Sequence, residues 1–213
     1  MADAKLDQAE GKEDKGKQES LLSSGDASKN TGYDWDFQGL HFRRIMKDDL
    51  DELAALHDVL FPVKYSESFF NSLLRKDMMT ILAFDKKDSS LVGVSTARVE
   101  EDHESCYGKY DGYISTLGVR PGFRRCGLGG FLLKKTIAIL EDERNCATIK
   151  LHVHAENIAA INLYYKHGFV LVEHLVNHYY FDDKNHDALH LVHYNRSWKR
   201  FDNESETAAC TIV

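Results

Sequence analysis

Residues 115–134, Ser-Thr-Leu-Gly-Val-Arg-Pro-Gly-Phe-Arg-Arg-Cys-Gly-Leu-Gly-Gly-Phe-Leu-Leu-Lys, decide the fold of this chain. The stretch predicts a strand, a basic glycine loop and a helix in direct succession. Residues 113–119 alternate and are rich in β-formers, and Pro121-Gly122 ends the strand. From Phe131 onward the apolar residues recur at helical spacing. The loop therefore lies at the N-terminus of a helix.

The loop from Arg124 to Gly130 predicts an anion-binding site. Glycines let a ligand approach the main chain closely. The start of a helix offers unpaired N–H groups and the positive end of the helix dipole. Arg124 and Arg125 add positive charge. We therefore expect a phosphate or pyrophosphate to bind here.

The glycine spacing also resembles two nucleotide-binding motifs. Gly122-x-x-x-x-Gly127 has P-loop spacing, but Leu128-Gly129 stands where Lys-Ser/Thr would bind the γ-phosphate and Mg²⁺. A dinucleotide fold carries its glycines after the first strand, whereas this cluster follows the fourth predicted strand. The plainest alternative is a glycine turn that only opens a helix.

The composition is that of a single globular domain. The 213 residues are 43% hydrophobic and 29% charged. The net charge of −7 argues against a nucleic-acid partner. The four cysteines show no paired spacing, and no signal peptide or membrane-length apolar run is present. We expect reduced thiols and a cytoplasmic or nuclear location.

Both ends of the chain are predicted to lie outside a domain spanning residues 38–198. Residues 1–37 are polar and predict a disordered extension, with a docking role as the alternative. Residues 199–213 predict a flexible tail. Its end, Cys210-Thr-Ile-Val, fits a prenylation signal, a PDZ ligand or an inert terminus. Membrane contact is expected only if Cys210 is prenylated.

The body of the chain predicts an α/β (α+β) fold with seven strands and about four helices. The strands are expected at residues 40–46, 79–84, 91–99, 113–119, 148–154, 169–176 and 188–194. Helices are expected after Lys47, after Ser66, and at residues 127–144 and 157–167. A hairpin followed by β–α–β–α–β predicts a mixed, twisted sheet with helices on both faces.

Arg124-Arg-Cys-Gly-Leu-Gly129 resembles the R/Q-x-x-G-x-G/A signature of the GCN5-related N-acetyltransferase (GNAT) family. From about Leu40 to Trp198 the chain also resembles N-alpha-acetyltransferase catalytic subunits of the NatE and NatF type. The matching segments are Phe61-Pro-Val-Lys-Tyr65, Tyr113-Ile-Ser-Thr-Leu-Gly118, Leu151-His-Val153, Asn157, Ala160-Ile161, Tyr164, Gly168-Phe169 and Asn177-His-Tyr-Tyr180.

This resemblance implies a GNAT fold whose fourth and fifth strands splay apart around acetyl-CoA. It also implies acetyl transfer to protein N-termini, mostly Met followed by an apolar residue. A ribosome-associated N-terminal acetyltransferase complex is the implied partner. The alternatives are a lysine (including histone) acetyltransferase, which should need a Glu on the fourth strand, and a non-catalytic docking subunit that binds acyl-CoA.

The resemblance places a water-linked base at Tyr113 and His152, and an acid for the leaving thiolate at Tyr164. A free α-amine has a pKa of about 7.7–8.0, so a weak base suffices. The alternatives are ordinary structural roles in a strand or in the core. His154 would complete a His-x-His pair with His152, but without further ligands at metal spacing we expect no metal.

The resemblance also implies a line of contacts to acetyl-CoA. They are expected at Leu117, Gly118, Val119, Arg124, Arg125, Cys126, Gly127, Leu128, Gly129, Gly130, Asn157 and Tyr164. A main-chain N–H near Leu117 or Val119 is the expected oxyanion donor. Asn157 could instead cap a helix. Cys126 as an acyl-carrying nucleophile is disfavoured because no base lies near it in sequence.

The acceptor peptide is expected between two aromatic segments. The implied residues are Phe61, Pro62, Val63, Tyr65, Ser115, Tyr179 and Tyr180. They would clamp the peptide backbone and leave room for an N-terminal Met. His178 stands where the NatE type has Tyr, so the register of the Tyr179–Tyr180 pair stays open by one residue.

Overall fold

The computed structural model describes residues 32–101 and 110–195. Within these ranges the strands are β1 (Gly32–Phe37), β2 (Leu40–Arg44), β3 (Met78–Asp85), β4 (Leu91–Glu101), β5 (Tyr110–Val119), β6 (Cys146–His154), β7 (Val170–Phe181) and β8 (Lys184–Tyr194). The α-helices are α1 (Leu50–Leu60), α2 (Glu67–Ser72), α3 (Leu128–Ala138) and α4 (Ile158–Lys166). None of the helices in these ranges is long and apolar enough to cross a membrane.

The strands form one mixed sheet in the order β1-β2-β3-β4-β5-β6-β8-β7. Only the β5–β6 pair among them is parallel. One hydrophobic cluster packs α3 and α4 against the sheet, and a second packs α1 and α2 against β3 and β4. The expected sheet with helices on both faces is therefore confirmed.

Strand β1 was not predicted, and with it the sheet of the described residues has eight strands instead of seven. Residues 32–37 are therefore part of the domain, whereas the prediction placed them in a disordered extension. Its aromatic residues alternate and pack toward α3. The rings of Tyr33 and Trp35 stack with centroids 4.0 Å apart, and the Phe37 ring lies 4.6 Å from that of Phe131. The polar average of the segment concealed this alternation. Residues 1–31 and the predicted tail at 199–213, with Cys210, lie outside the described residues.

The predicted succession of strand, loop and helix is confirmed. β5 ends at Val119, a short 3-10 turn spans Pro121–Phe123, and α3 begins after Gly127. Gly127 has a φ of 90°, a left-handed conformation that glycine adopts at no steric cost. The helix continues beyond Ala138 as a π-helical turn at Ile139–Glu143. The glycine loop thus allows the N-terminus of α3 to lie beside the end of β5.

The sheet opens between β5 and β6. Their parallel pairing runs only from Tyr110 opposite Cys146 to Tyr113 opposite Lys150. Both strands continue beyond that point, β5 to Val119 and β6 to His154. The expected splay is therefore confirmed, and it exposes unpaired main chain on both sides of a wedge.

Candidate active site

The wedge holds two adjoining spaces, which we call the basic groove and the wedge cavity. The basic groove, about 450 Å³, is lined by Leu117, Gly118, Val119, Arg124, Arg125, Gly127, Gly129, Gly130, Ala159, Ala160, Leu163, Tyr164 and Lys166. The wedge cavity, about 140 Å³, is lined by Phe61, Pro62, Val63, Tyr65, Ile114, Ser115, Thr116, Leu117, Leu151, His152, Val153, His154, Asn157, Ala160, Tyr164, Tyr179 and Phe181. Leu117, Ala160 and Tyr164 line both.

The basic groove is built for a diphosphate. Its lining residues include the cations of Arg124, Arg125 and Lys166 and no carboxylate, although the chain carries a net charge of −7. Gly127 caps α3 without a side chain, so the first-turn N–H groups receive no side-chain hydrogen bond. Arg124 Nε donates to the Val119 carbonyl oxygen over 2.9 Å, which fixes this guanidinium beside the groove.

The glycines keep the basic groove open. A Cβ atom added to Gly129 would lie 3.7 Å from Leu163 and 3.8 Å from Val119, both of which line the groove. A larger side chain at Gly129 would therefore occupy ligand space. At Gly130 an added Cβ would approach His167 to 3.3 Å. This cradle and its charges fit the pyrophosphate of acetyl-CoA.

Three residues of the expected cofactor set do not line the groove. Cys126 lines a separate depression, where its thiol donates to the Phe123 carbonyl oxygen over 2.9 Å. Leu128 is buried in the core because it begins the apolar face of α3. Asn157 lines the wedge cavity, and its Oδ1 accepts from the N–H of Ala160, so it caps α4.

Tyr113 and His152 meet where β5 and β6 begin to separate. The Tyr113 hydroxyl lies 2.8 Å from His152 Nδ1, within hydrogen-bonding distance. The guanidinium of Arg98, opposite Tyr113 on β4, lies 3.9 Å from the centroid of the Tyr113 ring. The expected pairing of these two side chains is therefore present, and His152 faces the wedge cavity.

His152 is held neutral. Burial lowers its pKa to about 4, with further contributions from the charges of His178, His190 and Arg98. The rings of His178 and His190 lie 4.7 Å and 4.8 Å from that of His152. At pH 7 the imidazole is therefore unprotonated and can accept a proton or a hydrogen bond.

Tyr164 separates the two spaces. It is buried on α4, and burial raises the pKa of its hydroxyl above the ordinary value of a tyrosine. The hydroxyl is therefore protonated throughout the physiological range and can donate a hydrogen bond. Tyr164 lies between the basic groove and the wedge cavity, and its role as an acid stays a prediction.

Most of the expected acceptor residues line the wedge cavity. They are Phe61, Pro62, Val63, Tyr65, Ser115 and Tyr179. Tyr180 is the exception and is 45% exposed, while Phe181 lines the cavity in its place. Tyr180 does not face the cavity, because an irregularity in β7 sets the register so that residues 179 and 181 do, and a contact of Tyr180 with the peptide stays a prediction.

The sequence interpretation missed several residues of the site. Lys166 and Leu163 of α4 line the basic groove, and no motif in the sequence singled them out. His154 lines the wedge cavity and was considered only as a metal ligand. Arg98 carried no motif and is identified only by its register opposite Tyr113.

The chain matches the Acetyltransferase (GNAT) family model over residues 44–169, more than half its length. It belongs to this family. Its reaction is therefore acyl transfer, and its cofactor is acetyl-CoA.

Three relatives sharpen the comparison. The chain is 33% identical to N-alpha-acetyltransferase 50 of Danio rerio over 131 residues, 62% of this chain and 74% of that protein. It is 31% identical to histone acetyltransferase MCC1 of Arabidopsis thaliana over 172 residues, covering 73% and 70%. Arabidopsis thaliana NAA60, solved with acetyl-CoA, superimposes with a TM-score of 0.69 at 27% identity, covering 73% and 98%. The resemblance to N-alpha-acetyltransferases is confirmed.

Acetyl-CoA supplies an activated thioester carbonyl when it is bound. Residues 124–130 would hold its diphosphate with main-chain N–H groups and arginines. The main chain of β5 beyond Tyr113 is not paired with β6 and can donate to a developing oxyanion. Tyr164 holds a proton where the basic groove meets the wedge cavity.

Proposed function

We propose that this enzyme acetylates the α-amine of protein N-termini that begin with Met followed by an apolar residue. The observation that carries the proposal is the Tyr113–His152 pair, hydrogen-bonded over 2.8 Å at the edge of the wedge cavity. Tyr113 orients a water molecule, and neutral His152 accepts the amine proton through it. Tyr164 provides the proton for the departing sulfur.

The acceptor's own pKa favours an N-terminus over a lysine. At pH 7, about one in ten α-amines is neutral, against about one in 2,500 lysine side chains. A histidine whose pKa is lowered to about 4 is a weak base. It serves an acceptor that is already partly deprotonated and contributes little to deprotonating a lysine.

The walls of the wedge cavity support an apolar first residue. Phe61, Tyr65 and Tyr179 surround the space with aromatic rings, and Pro62 and Val63 add apolar surface. Burying a Met side chain there is favourable by about 1.5–3 kcal/mol. A flexible thioether also adapts to aromatic walls.

Lysine acetylation is the second candidate, and the similarity to a protein named histone acetyltransferase favours it. A carboxylate base would support this candidate. Of the residues of β5, only Asp111 carries a carboxylate, and it pairs with Lys150 and accepts from Thr148. The lining of the wedge cavity contains no carboxylate, and of its two histidines, His152 and His154, it is His152 that lies within hydrogen-bonding distance of Tyr113.

A peptide library with every N-terminal dipeptide, incubated with acetyl-CoA, tests the proposal. The matched control set carries blocked N-termini and one free lysine. Peptides starting with Met-Leu or Met-Ile should be acetylated at least about tenfold faster than peptides starting with Ser or Ala, because only Met fills the apolar cavity. Acetylation of the blocked lysine peptides at an equal rate would overturn the proposal.

We also propose that the enzyme works in the cytoplasm or nucleus, as part of a ribosome-associated N-terminal acetyltransferase complex that acts on chains emerging from the ribosome. Support comes from the substrate, because new N-termini appear at the ribosome. Co-sedimentation with translating ribosomes, lost on puromycin treatment, would agree with this. Membrane recovery that depends on Cys210, checked with Cys210→Ser, would instead indicate prenylation.

A further inference from the structure

The outer hairpin of the sheet contains a large irregularity beside the wedge cavity. Leu175 of β7 pairs with Ala188 of β8, and the next pair joins Tyr179 to His186. Three residues of β7, at 176–178, therefore stand opposite the single residue Asp187. We call residues 176–178 the β7 bulge. It sets the register of everything that follows it in β7.

The β7 bulge and the residue that follows it place two rings at the active site. The His178 ring lies 4.7 Å from the ring of His152, and Tyr179 lines the wedge cavity. The rings of His178 and Tyr179 pack edge to face at 4.9 Å. Neighbouring residues of a regular strand point to opposite faces, so only an irregular backbone brings both rings to the site.

Asp187 holds the β7 bulge from the opposite strand. Its Oδ1 accepts from the main-chain N–H of Asn177 over 2.9 Å, and its Oδ2 lies 2.9 Å from His174 Nε2. Its main-chain carbonyl oxygen accepts from the N–H of Ala155, just beyond β6. One residue thus joins the β7 bulge, the start of β8 and the end of the strand that carries His152.

The backbone of the β7 bulge needs such support. Asn177 has a φ of 55°, a left-handed conformation that only glycine adopts freely and that Asn tolerates better than most other residues. An amide N–H directed at a carboxylate makes a stronger hydrogen bond than a neutral pair. The same bonds, that of Asn177 first, hold the pKa of Asp187 below its ordinary value, so the carboxylate is charged at neutral pH.

We propose that Asp187 is a positioning residue of the acceptor site. Its carboxylate clamps the β7 bulge so that His178 packs against His152 and Tyr179 lines the wedge cavity, and it thereby sets the affinity for the acceptor peptide. This role rests on the proposed function, because it assigns the wedge cavity to the acceptor. The basic groove does not include the β7 bulge, so cofactor binding is independent of the clamp.

Steady-state kinetics on the full chain test the clamp. Asp187→Ala should raise the KM for a Met-Leu peptide about tenfold, since it removes two charged hydrogen bonds. The KM for acetyl-CoA should stay unchanged. Asp187→Asn keeps an acceptor for Asn177 N–H and should recover most of the affinity. His174→Ala loses one of the two bonds, so its peptide KM should lie between those of Asp187→Asn and Asp187→Ala.

The matched control is Asp183→Gly at the tip of the same hairpin. Asp183 is exposed and has a φ of 55°, which glycine adopts without strain, so this variant removes a carboxylate and preserves the turn. It should behave as wild type. An unchanged peptide KM in Asp187→Ala, or an equal rise in Asp183→Gly, would overturn the role of Asp187.

Hydrogen exchange separates this role from the proposed function. Amides at residues 175–181 should lose protection in Asp187→Ala and keep it in Asp183→Gly, whatever the enzyme acetylates. Lost protection together with a wild-type enzyme that acetylates no N-terminal peptide would overturn the proposed function and leave the clamp standing. Unchanged protection in an active enzyme would overturn the clamp alone.

Discussion

The basic groove and the wedge cavity adjoin at Tyr164 and are built in different ways. The groove rests mainly on main chain and charge from one continuous stretch, β5, its glycine loop and α3. The cavity is assembled from side chains of the α1–α2 connection, β5, β6, α4 and β7. A local motif thus fixes where acetyl-CoA binds, whereas the acceptor site depends on long-range packing that can change without disturbing the groove.

The largest effect should come from the base. His152→Ala should lower kcat for a Met-Leu peptide by at least about a hundredfold, because it removes the proton acceptor at the wedge cavity. Acetyl-CoA affinity, measured by calorimetry, should be unchanged. His41→Ala, which removes an exposed histidine on β2, serves as the control. A loss of acetyl-CoA affinity in His152→Ala as large as the loss of kcat would show that the groove and the cavity are not independent.

Acid should lower the free energy of unfolding through His57, which packs beneath the acceptor side of the wedge cavity. This side chain is 1% exposed, its ring lies 5.1 Å from that of Phe61 and 5.2 Å from that of Tyr65, and burial lowers its pKa to about 4. Between pH 6.5 and 4 the unfolded chain binds a proton that the folded chain does not. The free energy of unfolding should therefore fall with pH, by about 3 kcal/mol at pH 4 from His57 alone.

Urea unfolding at pH 7 and pH 4 measures this loss. Other groups titrate in the same window, so the informative quantity is the difference between wild type and His57→Phe. The variant should lose about 3 kcal/mol less on acidification. Identical losses would show that His57 is not held neutral in the folded protein.

A side chain at Gly129 should impair the basic groove and leave the wedge cavity intact. Gly129→Val should weaken acetyl-CoA binding about thirtyfold, or about 2 kcal/mol, because the added methyl groups fill the space between Val119 and Leu163. Gly122→Val is the matched control, since an added Cβ there meets nothing within 4 Å. Equal affinities for the two variants would place the diphosphate elsewhere.

The smallest kinetic effect should follow Gly118→Ala. A Cβ atom there would approach the side chains of Leu60 to 2.6 Å and Phe61 to 3.0 Å, so these two side chains must shift. The peptide KM should rise about tenfold, and by more than the KM for acetyl-CoA, because the added Cβ points at Leu60 and Phe61 even though Gly118 also lines the basic groove. A change confined to acetyl-CoA affinity would mean that Phe61 does not form part of the acceptor site.

The same contrast explains what sequence could predict. The glycine loop and its flanking strand and helix were identifiable because their signals are local. The aromatic alternation of β1 was hidden by the polar average around it, and the outward turn of Tyr180 follows from a bulge held by Asp187 on another strand. The lowered pKa of His152 likewise depends on its burial first and then on His178, His190 and Arg98, which only the folded sheet brings near it.

A crystal structure with a bisubstrate analogue, CoA joined through an acetyl group to a Met-Leu peptide, tests the central claim most directly. We predict the diphosphate at residues 124–130, the peptide nitrogen within one water molecule of Tyr113 and His152, and the Met side chain between Phe61, Tyr65 and Tyr179. A peptide lying outside the wedge cavity, or a diphosphate away from the start of α3, would contradict the proposed mechanism.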